Sequence, residues 1–122
     1  MKAGELGKIY KDREVIVCQG DVGDCMYVIQ SGKVEVVKEM NGIEKKLSML
    51  SEGGIFGEMA LLDKEVRSAT VRALGEVRIL TVDKKTFIRW MSEDPTVAFR
   101  VVKMMSKRIR ELSEELVKLK FG

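Results

Sequence analysis

The chain has 122 residues, of which 45% are hydrophobic and 34% are charged, and its formal net charge is +3. This length and balance predict a single domain over residues 1–122. The small positive excess does not by itself indicate a nucleic-acid partner. With no histidine, the chain has no Ser-His or Cys-His nucleophile pair and no imidazole metal ligand. An enzyme is therefore the weaker hypothesis, and a metal-dependent enzyme of the cupin type, which normally needs histidine ligands, is excluded.

The two cysteines, Cys18 and Cys25, are too few for a Cys-only zinc or iron–sulfur site, so no metal is expected. They are predicted to be small buried residues on neighbouring strands, with a disulfide across the intervening loop as the alternative. No apolar run reaches the roughly 18–20 residues needed to span a bilayer, and the N-terminal residues lack the apolar core of a signal peptide. A cytoplasmic protein with no membrane segment is therefore expected.

Ten of the eleven glycines lie at or before Gly75, so the first two-thirds of the chain is predicted to form short strands separated by turns. Asn41-Gly42 is a strong hairpin signal, and Ser31-Gly32 separates two other apolar runs. Turn signals at intervals of roughly ten residues predict an antiparallel sandwich or barrel over residues 6–82. The predicted strands cover residues 15–18, 26–30, 33–40, 43–50, 69–73 and 77–82.

Residues 53–73 carry the clearest chemical signal. A Phe-Gly break at Gly57 leads into Glu-Met-Ala-Leu-Leu, which suffices for about one helical turn, and a strand headed by Arg67-Ser68-Ala69 follows. The free N–H groups at a helix start, with close backbone approach at Gly57, favour an anion. Arg67 is a two-pronged donor for phosphate oxygens, and Glu58 is an acceptor for a sugar hydroxyl. The pattern predicts a site for a sugar with a monoanionic phosphate, whereas Arg72 is assigned to the surface.

Two helices are predicted after the strands, over residues 83–120. Asp83 is a typical N-cap for a short helix over residues 84–91. Asp94-Pro95 predicts the start of a longer helix that ends near Lys120. An apolar seam with heptad-like spacing runs along this helix. Its first half also suits packing on the chain's own strands, and the part beyond Ile109 predicts a parallel homodimer. The seam consists of Ala98, Val102, Met105, Ile109, Leu112, Leu116 and Leu119.

The segments Phe56-Gly57-Glu58-Met59-Ala60-Leu61 and Arg67-Ser68-Ala69 together resemble the phosphate-binding cassette of cyclic nucleotide-binding domains. That family includes bacterial catabolite activator-type regulators, regulatory subunits of protein kinase and cyclic-nucleotide-gated channels. The resemblance extends from about Leu6 to Leu119. It implies a mainly β fold, a jelly-roll-like double-stranded β-helix barrel of eight strands, followed by a short helix and a long C-terminal helix. The implied function is regulatory signal transduction without catalysis.

The resemblance also assigns roles to individual residues. Arg67 is expected to bind the exocyclic oxygens of the cyclic phosphate, assisted by Ser68 and the backbone of Ala69. Glu58 is expected to accept the ribose 2′-hydroxyl. Further residues are expected to contact the ligand or support the site: the backbone of Gly57, Met59 and Ala60 beside the ribose, Val36 and Leu47 as an apolar wall for the base, Leu112 and Ser113 as its lid, and Arg108 as a support for Glu58.

Two departures from the family pattern concern the choice of base. Leu112 stands where the bacterial regulators offer a hydroxyl to the purine. Ser68 lies between the alanine common in cAMP-selective members and the threonine that can bond the guanine amino group. The resemblance therefore implies cAMP as the first ligand and cGMP as the second. The sequence has no counterpart of the regulators' helix-turn-helix, so an effector protein or an output domain outside it is expected.

Two other functions stay open at the level of sequence. One is an interaction or dimerisation module that keeps this fold and binds no nucleotide, although the intact Gly57, Glu58, Arg67 and Ser68 argue against it. The other is a fragment of a transcription regulator that lacks its DNA-binding domain. The last helix carries seven basic and three acidic residues. They are interpreted as a solvated face, so no nucleic-acid contact by this chain is expected.

Overall fold

The computed structural model describes residues 6–62 and 64–121, which divide into two compact units, residues 6–86 and residues 87–121. That the chain forms one domain stays a prediction. In the described part, the first unit contains eight strands and the helix α1, Glu58–Leu62. The helix α2, Lys84–Glu93, crosses the boundary, and α3, Thr96–Phe121, lies in the second unit. The strands are β1 Lys8–Tyr10, β2 Val15–Val17, β3 Val22–Gly23, β4 Cys25–Met40, β5 Ile43–Ser51, β6 Ile55–Phe56, β7 Glu65–Val66 and β8 Thr70–Asp83.

Two antiparallel sheets make up the strand region. Six strands form one sheet in the order β1-β8-β4-β5, in which β2 also pairs with β8 and β6 also pairs with β4. The strands β3 and β7 form a separate two-stranded sheet. The prediction of a mainly β fold with C-terminal helices is confirmed. The two long strands β4 and β8 pair along most of their length and hold the shorter strands around them.

The strand β4 runs through Ser31-Gly32, so the turn predicted there is wrong. The pairing of β4 with β8 continues on both sides, with register shifts between Ile29 and Ser31 and between Ser31 and Lys33. Gly32 has a φ of 90°, which suits an irregularity within a strand as well as a turn. The strands predicted over residues 69–73 and 77–82 likewise form the single strand β8, apart from Ala69, which precedes it.

The hairpin predicted at Asn41-Gly42 is confirmed. Met40 of β4 pairs with Ile43 of β5, which leaves a two-residue loop between them. The φ angles of Asn41 and Gly42 are 54° and 78°. Positive φ at both central residues defines the type I′ turn, whose twist matches that of the flanking strands.

A cluster of eight buried residues forms the core of the first unit and draws on β2, β4, β6 and β8. Burial of each large apolar side chain contributes about 1.5–3 kcal/mol. Because β4 and β6 share this core with β8, the loops that leave these strands start from fixed positions. The cluster consists of Val17, Ile29, Val34, Phe56, Val71, Ala73, Val77 and Ile79.

Both predicted N-caps are confirmed. The Thr86 amide donates a hydrogen bond to Oδ1 of Asp83 at 2.7 Å, at the start of α2. The Thr96 amide and hydroxyl donate to Oδ1 of Asp94 at 3.1 and 2.7 Å, at the start of α3. These two hydrogen bonds lower the pKa of Asp94 because they favour its charged form.

The helix α3 leaves most of its predicted seam exposed. Ile109, Leu112 and Leu116 are 60–62% exposed, and Leu119 is 83% exposed. A stripe of exposed apolar side chains therefore runs along this part of α3. None of the helices in residues 6–62 and 64–121 is both long and apolar enough to cross a membrane.

The prediction that both cysteines are buried on neighbouring strands is wrong. Cys18 is exposed and lies just after β2, and Cys25 is partly buried as the first residue of β4. Both are free thiols, so the alternative of a disulfide is also wrong. Between the two cysteines the chain forms the short strand β3.

Candidate functional site

The helix α1 begins directly after the buried end of β6. Gly57 joins them with a φ of 78°, a left-handed conformation that glycine adopts without strain. The Gly57 carbonyl accepts the Ala60 amide at 3.2 Å, which closes the first turn. The predicted one-turn helix is therefore confirmed. Glu58 and Ala60 are each only 4% exposed, whereas Met59 is exposed.

The backbone of Arg67 is fixed by the loop between β2 and β3. The Arg67 amide donates to the Asp21 carbonyl at 2.7 Å, and the Arg67 carbonyl accepts the Gly20 amide at 2.9 Å. Next to it, β7 pairs with β3 through Val22 opposite Val66 and Gly23 opposite Glu65. Arg67 therefore starts from a defined backbone position even though the strand before it has only two residues.

The Arg67 side chain joins the two ends of this segment. Its Nη2 donates to the Cys25 carbonyl at 2.8 Å, and its Nη1 donates to the Gly57 carbonyl at 3.3 Å. The predicted pair Gly57 and Arg67 is thus brought into contact across ten residues of sequence. Both acceptors are neutral carbonyls, so these hydrogen bonds orient the guanidinium without neutralising its charge. A partly buried cation held in this way retains N–H groups for an anion.

Aromatic side chains lie beside the guanidinium. Tyr27 stacks on Phe56 with the ring centroids 5.0 Å apart, and Cζ of Arg67 is 5.6 Å from the centroid of the Tyr27 ring. Burial, followed by a hydrogen bond with Cys25, raises the pKa of Tyr27 to about 12, although the charge of Arg67 lowers it. The phenol is therefore neutral near neutral pH. It gives the guanidinium an uncharged aromatic neighbour.

Sequence reasoning missed two residues of this site, Gly23 and Cys25. A Cβ at Gly23 would lie 2.1 Å from Nε of Arg67, and a Cβ at Gly57 would lie 2.6 Å from its Nη1. Cys25 contributes its carbonyl and lies 3.8 Å from Nη2 of Arg67 through Sγ. A carbonyl and an absent side chain leave little trace in a sequence. The only signal was the turn-like composition of residues 20–24.

The other predicted ligand residues of the first unit lie in the bend after Arg67 and on the strands β4 and β5. Ser68 is exposed and Ala69 partly buried in the bend that leads from Arg67 into β8. Val36 packs against the core cluster. Leu47 is 54% exposed and is the extra residue in the irregularity where Val36 pairs with Ser48 and Val37 with Lys46. These positions leave the predicted roles as predictions.

Arg108, Leu112 and Ser113 lie on α3, in the second unit. Leu112 and Ser113 are exposed, and Arg108 is partly buried, which lowers the pKa of its guanidinium. Their predicted roles over the base and beside Glu58 stay predictions.

Arg72 has a different environment from Arg67. Its Nε donates to Glu35, and its two terminal nitrogens donate to Glu44. The hydrogen bonds with Glu44 and then Glu35 raise the pKa of Arg72. Glu35 is only 7% exposed and also pairs with Arg13 and Lys46. Arg72 was predicted to lie at the surface. Its ion pair with the exposed Glu44 agrees with that prediction, whereas its ion pair with the buried Glu35 does not.

Comparisons with known proteins identify the family to which this chain belongs. The family model described as "Cyclic nucleotide-binding domain" matches residues 8–94. Over 88 residues, the chain is 45% identical to a cAMP-dependent protein kinase regulatory subunit of Mucor circinelloides, covering 71% of this chain and 21% of that protein. The crystal structure of the Thermus thermophilus catabolite activator protein superposes with a TM-score of 0.85 at 33% identity, covering 93% of this chain and 54% of that one.

A third similar protein is the EAL enzyme Bd1971, which has been solved in a cGMP-bound and a cAMP-bound form. These superpose with TM-scores of 0.66 and 0.65 at 35% identity. The two forms cover 92% and 90% of this chain and 30% of the enzyme. The chain therefore spans between about a fifth and about half of the length of these three proteins.

Proposed function

Since this chain belongs to the cyclic nucleotide-binding domain family, we propose that it is a non-catalytic receptor domain whose ligand is cAMP, with cGMP as the second candidate. The observation that carries the proposal is the guanidinium of Arg67, held by the carbonyls of Cys25 and Gly57 at the start of α1. A cation oriented by neutral acceptors, with remaining N–H groups, is suited to the two exocyclic oxygens of a cyclic phosphate.

In the proposed complex, the phosphate lies against Arg67, with the Ser68 hydroxyl and the Ala69 amide as further donors. Glu58 accepts the ribose 2′-hydroxyl, and the backbone of Gly57, Met59 and Ala60 lies beside the sugar. The burial of the Glu58 side chain supports this role. A hydrogen bond to a charged acceptor is stronger where water is excluded. Met59 is exposed, so its proposed contribution comes from its backbone.

The base is proposed to lie against Val36 and Leu47, with Leu112 and Ser113 of α3 covering it and Arg108 supporting Glu58. The relative named as a cAMP-dependent regulatory subunit supports cAMP. The solved cAMP and cGMP complexes of Bd1971 support keeping both bases as candidates. Ser68 is the residue of this chain that bears on the choice, because its hydroxyl is a hydrogen-bond partner for a guanine amino group.

Binding is proposed to be transmitted through the C-terminal helices. A ligand shifts an equilibrium between two conformations only by its differential affinity for them. If α3 contacts the base in only one of the two conformations, the ligand has a higher affinity for that conformation. The signal then passes to a second copy, an effector protein or an output domain. A cytosolic setting is proposed as well, because both thiols are free.

Homodimerisation through α3 is the proposed association, supported by its exposed apolar seam. Leu112→Glu or Leu116→Glu is expected to dissociate the dimer, because each places a charge in an apolar contact. Lys107→Glu is the control, since Lys107 is exposed and lies off the seam. Sedimentation velocity measures the outcome. A wild-type chain that sediments as a monomer at every concentration contradicts the dimer.

Isothermal titration tests the receptor proposal itself. The protein is unfolded to remove co-purified nucleotide, refolded, and titrated with cAMP, with cGMP and with 5′-AMP as a control for an uncyclised phosphate. We expect micromolar or tighter binding of one cyclic nucleotide and much weaker binding of 5′-AMP. A folded protein that binds neither cyclic nucleotide contradicts the proposal. That result favours the alternative, an interaction or dimerisation module that binds no nucleotide.

A further inference from the structure

Gly23 lies directly against the functional end of Arg67. A Cβ built on it would be 2.1 Å from Nε, 2.2 Å from Cζ and 2.4 Å from Nη2 of Arg67. Gly23 is not among the residues with a positive φ, so its backbone conformation is open to any L-residue. Glycine is therefore required at this position by the space that the guanidinium occupies, and not by the local backbone.

The backbone bonds of Arg67 explain why its side chain passes over Gly23. The Arg67 amide and carbonyl are bonded to Asp21 and Gly20, on one side of Gly23 in the chain. The guanidinium reaches the carbonyl of Cys25, on the other side. A side chain that starts beside residues 20–21 and ends at residue 25 has to cross residue 23.

Gly57 borders the guanidinium as well. A Cβ there would lie 2.6 Å from Nη1, and its carbonyl accepts a hydrogen bond from the same nitrogen. The guanidinium thus occupies a slot between two residues without side chains, with Tyr27 beside it. Gly57 has a positive φ, which favours glycine by itself. At Gly23, by contrast, the backbone makes no such demand, and the space for the guanidinium is the reason for glycine.

We propose that Gly23 is a positioning residue for nucleotide binding: its missing side chain keeps open the slot that orients the Arg67 guanidinium before the phosphate arrives. This inference rests on the proposed cyclic-nucleotide function. A donor that is already oriented loses less conformational freedom on binding, and so more of its interaction appears as affinity. Gly23 itself needs no contact with the ligand.

Gly23→Ala is the direct test. A single methyl group displaces the flexible end of Arg67 and separates it from the Cys25 carbonyl, so the affinity for cAMP is expected to fall about tenfold. Val22→Ala is the matched control, because Val22 is the neighbouring residue of β3 and is 69% exposed. It is expected to bind as the wild type does. Unchanged or tighter binding by Gly23→Ala overturns the inference.

Ligand discrimination gives a readout that a merely structural role of Gly23 leaves unchanged. The two phosphorothioate diastereomers of cAMP differ in which exocyclic oxygen is replaced by sulfur. A fixed guanidinium distinguishes them, so Gly23→Ala is expected to reduce the ratio of their affinities. An unchanged ratio overturns the inference. Absence of cyclic-nucleotide binding by the wild type is a different result, because it contradicts the proposed function.

Thermal unfolding of the ligand-free protein tests the slot whether or not a nucleotide binds. Gly23→Ala is expected to lower the Tm by about 5 °C in the wild-type background, because the hydrogen bond to Cys25 is lost. In the Arg67→Ala background the same change is expected to have little effect, since the guanidinium is gone. Equal Tm losses in both backgrounds overturn the inference.

Discussion

Arg67 and Arg72 lie at opposite ends of one short segment of chain, and the structure uses them in different ways. Arg67 is bonded to two neutral carbonyls. Arg72 is bonded to two carboxylates, one of them buried. Each arginine is partly buried and held by at least two hydrogen bonds. The difference is in the charge of the acceptors: carboxylates neutralise the cation of Arg72, whereas the acceptors of Arg67 within residues 6–62 and 64–121 are neutral carbonyls.

This comparison shows how a binding arginine differs from a structural one. In a buried ion pair each charge is already compensated by its partner. Removing either residue leaves the other charge poorly solvated. A cation held by carbonyls is oriented, and an anion completes its coordination. The surrounding residues follow the same division: Arg13 and Lys46 add to the charges around Glu35, whereas glycines and Tyr27 surround Arg67.

Arg67→Ala is expected to have the largest effect. It removes charged hydrogen bonds to the phosphate, each worth about 1.5–3 kcal/mol, so the affinity for cAMP falls at least about 100-fold. The far-ultraviolet circular dichroism spectrum is expected to stay that of the wild type, because the core cluster does not include Arg67. Isothermal titration measures the loss. Retained affinity removes Arg67 from the site.

Glu58→Ala is expected to reduce affinity next most strongly, by about 1.5–3 kcal/mol, which is roughly 10-fold to 100-fold. The proposed partner of Glu58 is the 2′-hydroxyl, so 2′-deoxy-cAMP is the matched probe. The wild type is expected to bind 2′-deoxy-cAMP weakly, and Glu58→Ala is expected to bind the two nucleotides about equally. If the wild type does not distinguish them, the role given to Glu58 is wrong.

Arg72→Ala is expected to act on stability and not on binding. It removes the closest partner of the buried Glu35, so the free energy of unfolding falls by about 2 kcal/mol, measured by urea denaturation. Arg78→Ala is a control on the same strand, because within residues 6–62 and 64–121 the Arg78 guanidinium donates to the neutral Gly7 carbonyl and not to a carboxylate. It is expected to lose about 1 kcal/mol. A large drop in cAMP affinity for Arg72→Ala contradicts the division between the two arginines.

The smallest expected effect concerns Glu44 and pH. The hydrogen bond from Arg72 lowers the pKa of Glu44 below its ordinary value of 4.5. A carboxyl with a lower pKa in the folded state stabilises the fold fully above its unfolded pKa and loses this contribution as the pH falls through the folded value. Glu44→Gln is therefore expected to weaken the pH dependence of stability below about pH 4.5 in thermal unfolding. An identical acid profile for both proteins contradicts this contribution.

Sequence reasoning succeeded where one local side-chain pattern determines a structure. Asn41-Gly42 requires positive φ at two adjacent residues, and Asp83 and Asp94 cap helices within three residues of themselves. Gly57 and Arg67, which were predicted to belong to one site, are in contact, and they could be grouped because they occupy one short segment. In each case the residue types that determine the local structure can be recognised in the sequence.

Sequence reasoning failed where the structure depends on backbone atoms or on residues that are distant in the sequence. Arg67 is oriented by backbone carbonyls, and its guanidinium occupies the space left by the missing side chain of Gly23. Neither feature shows in a sequence pattern. The two-residue strands β3 and β7 are too short to carry a period of two. The partners of Arg72 are 37 and 28 residues away, so its buried ion pair required the pairing of β4 with β8 to be known.

A crystal structure of the protein with bound cAMP tests the central claim most directly. We expect the two exocyclic oxygens of the phosphate to accept hydrogen bonds from Arg67 at the start of α1, while Arg67 keeps its hydrogen bond to the Cys25 carbonyl. Arg72 is expected to stay paired with Glu35 and Glu44. A phosphate that lies away from Arg67, or one that draws Arg72 from its carboxylates, contradicts the account.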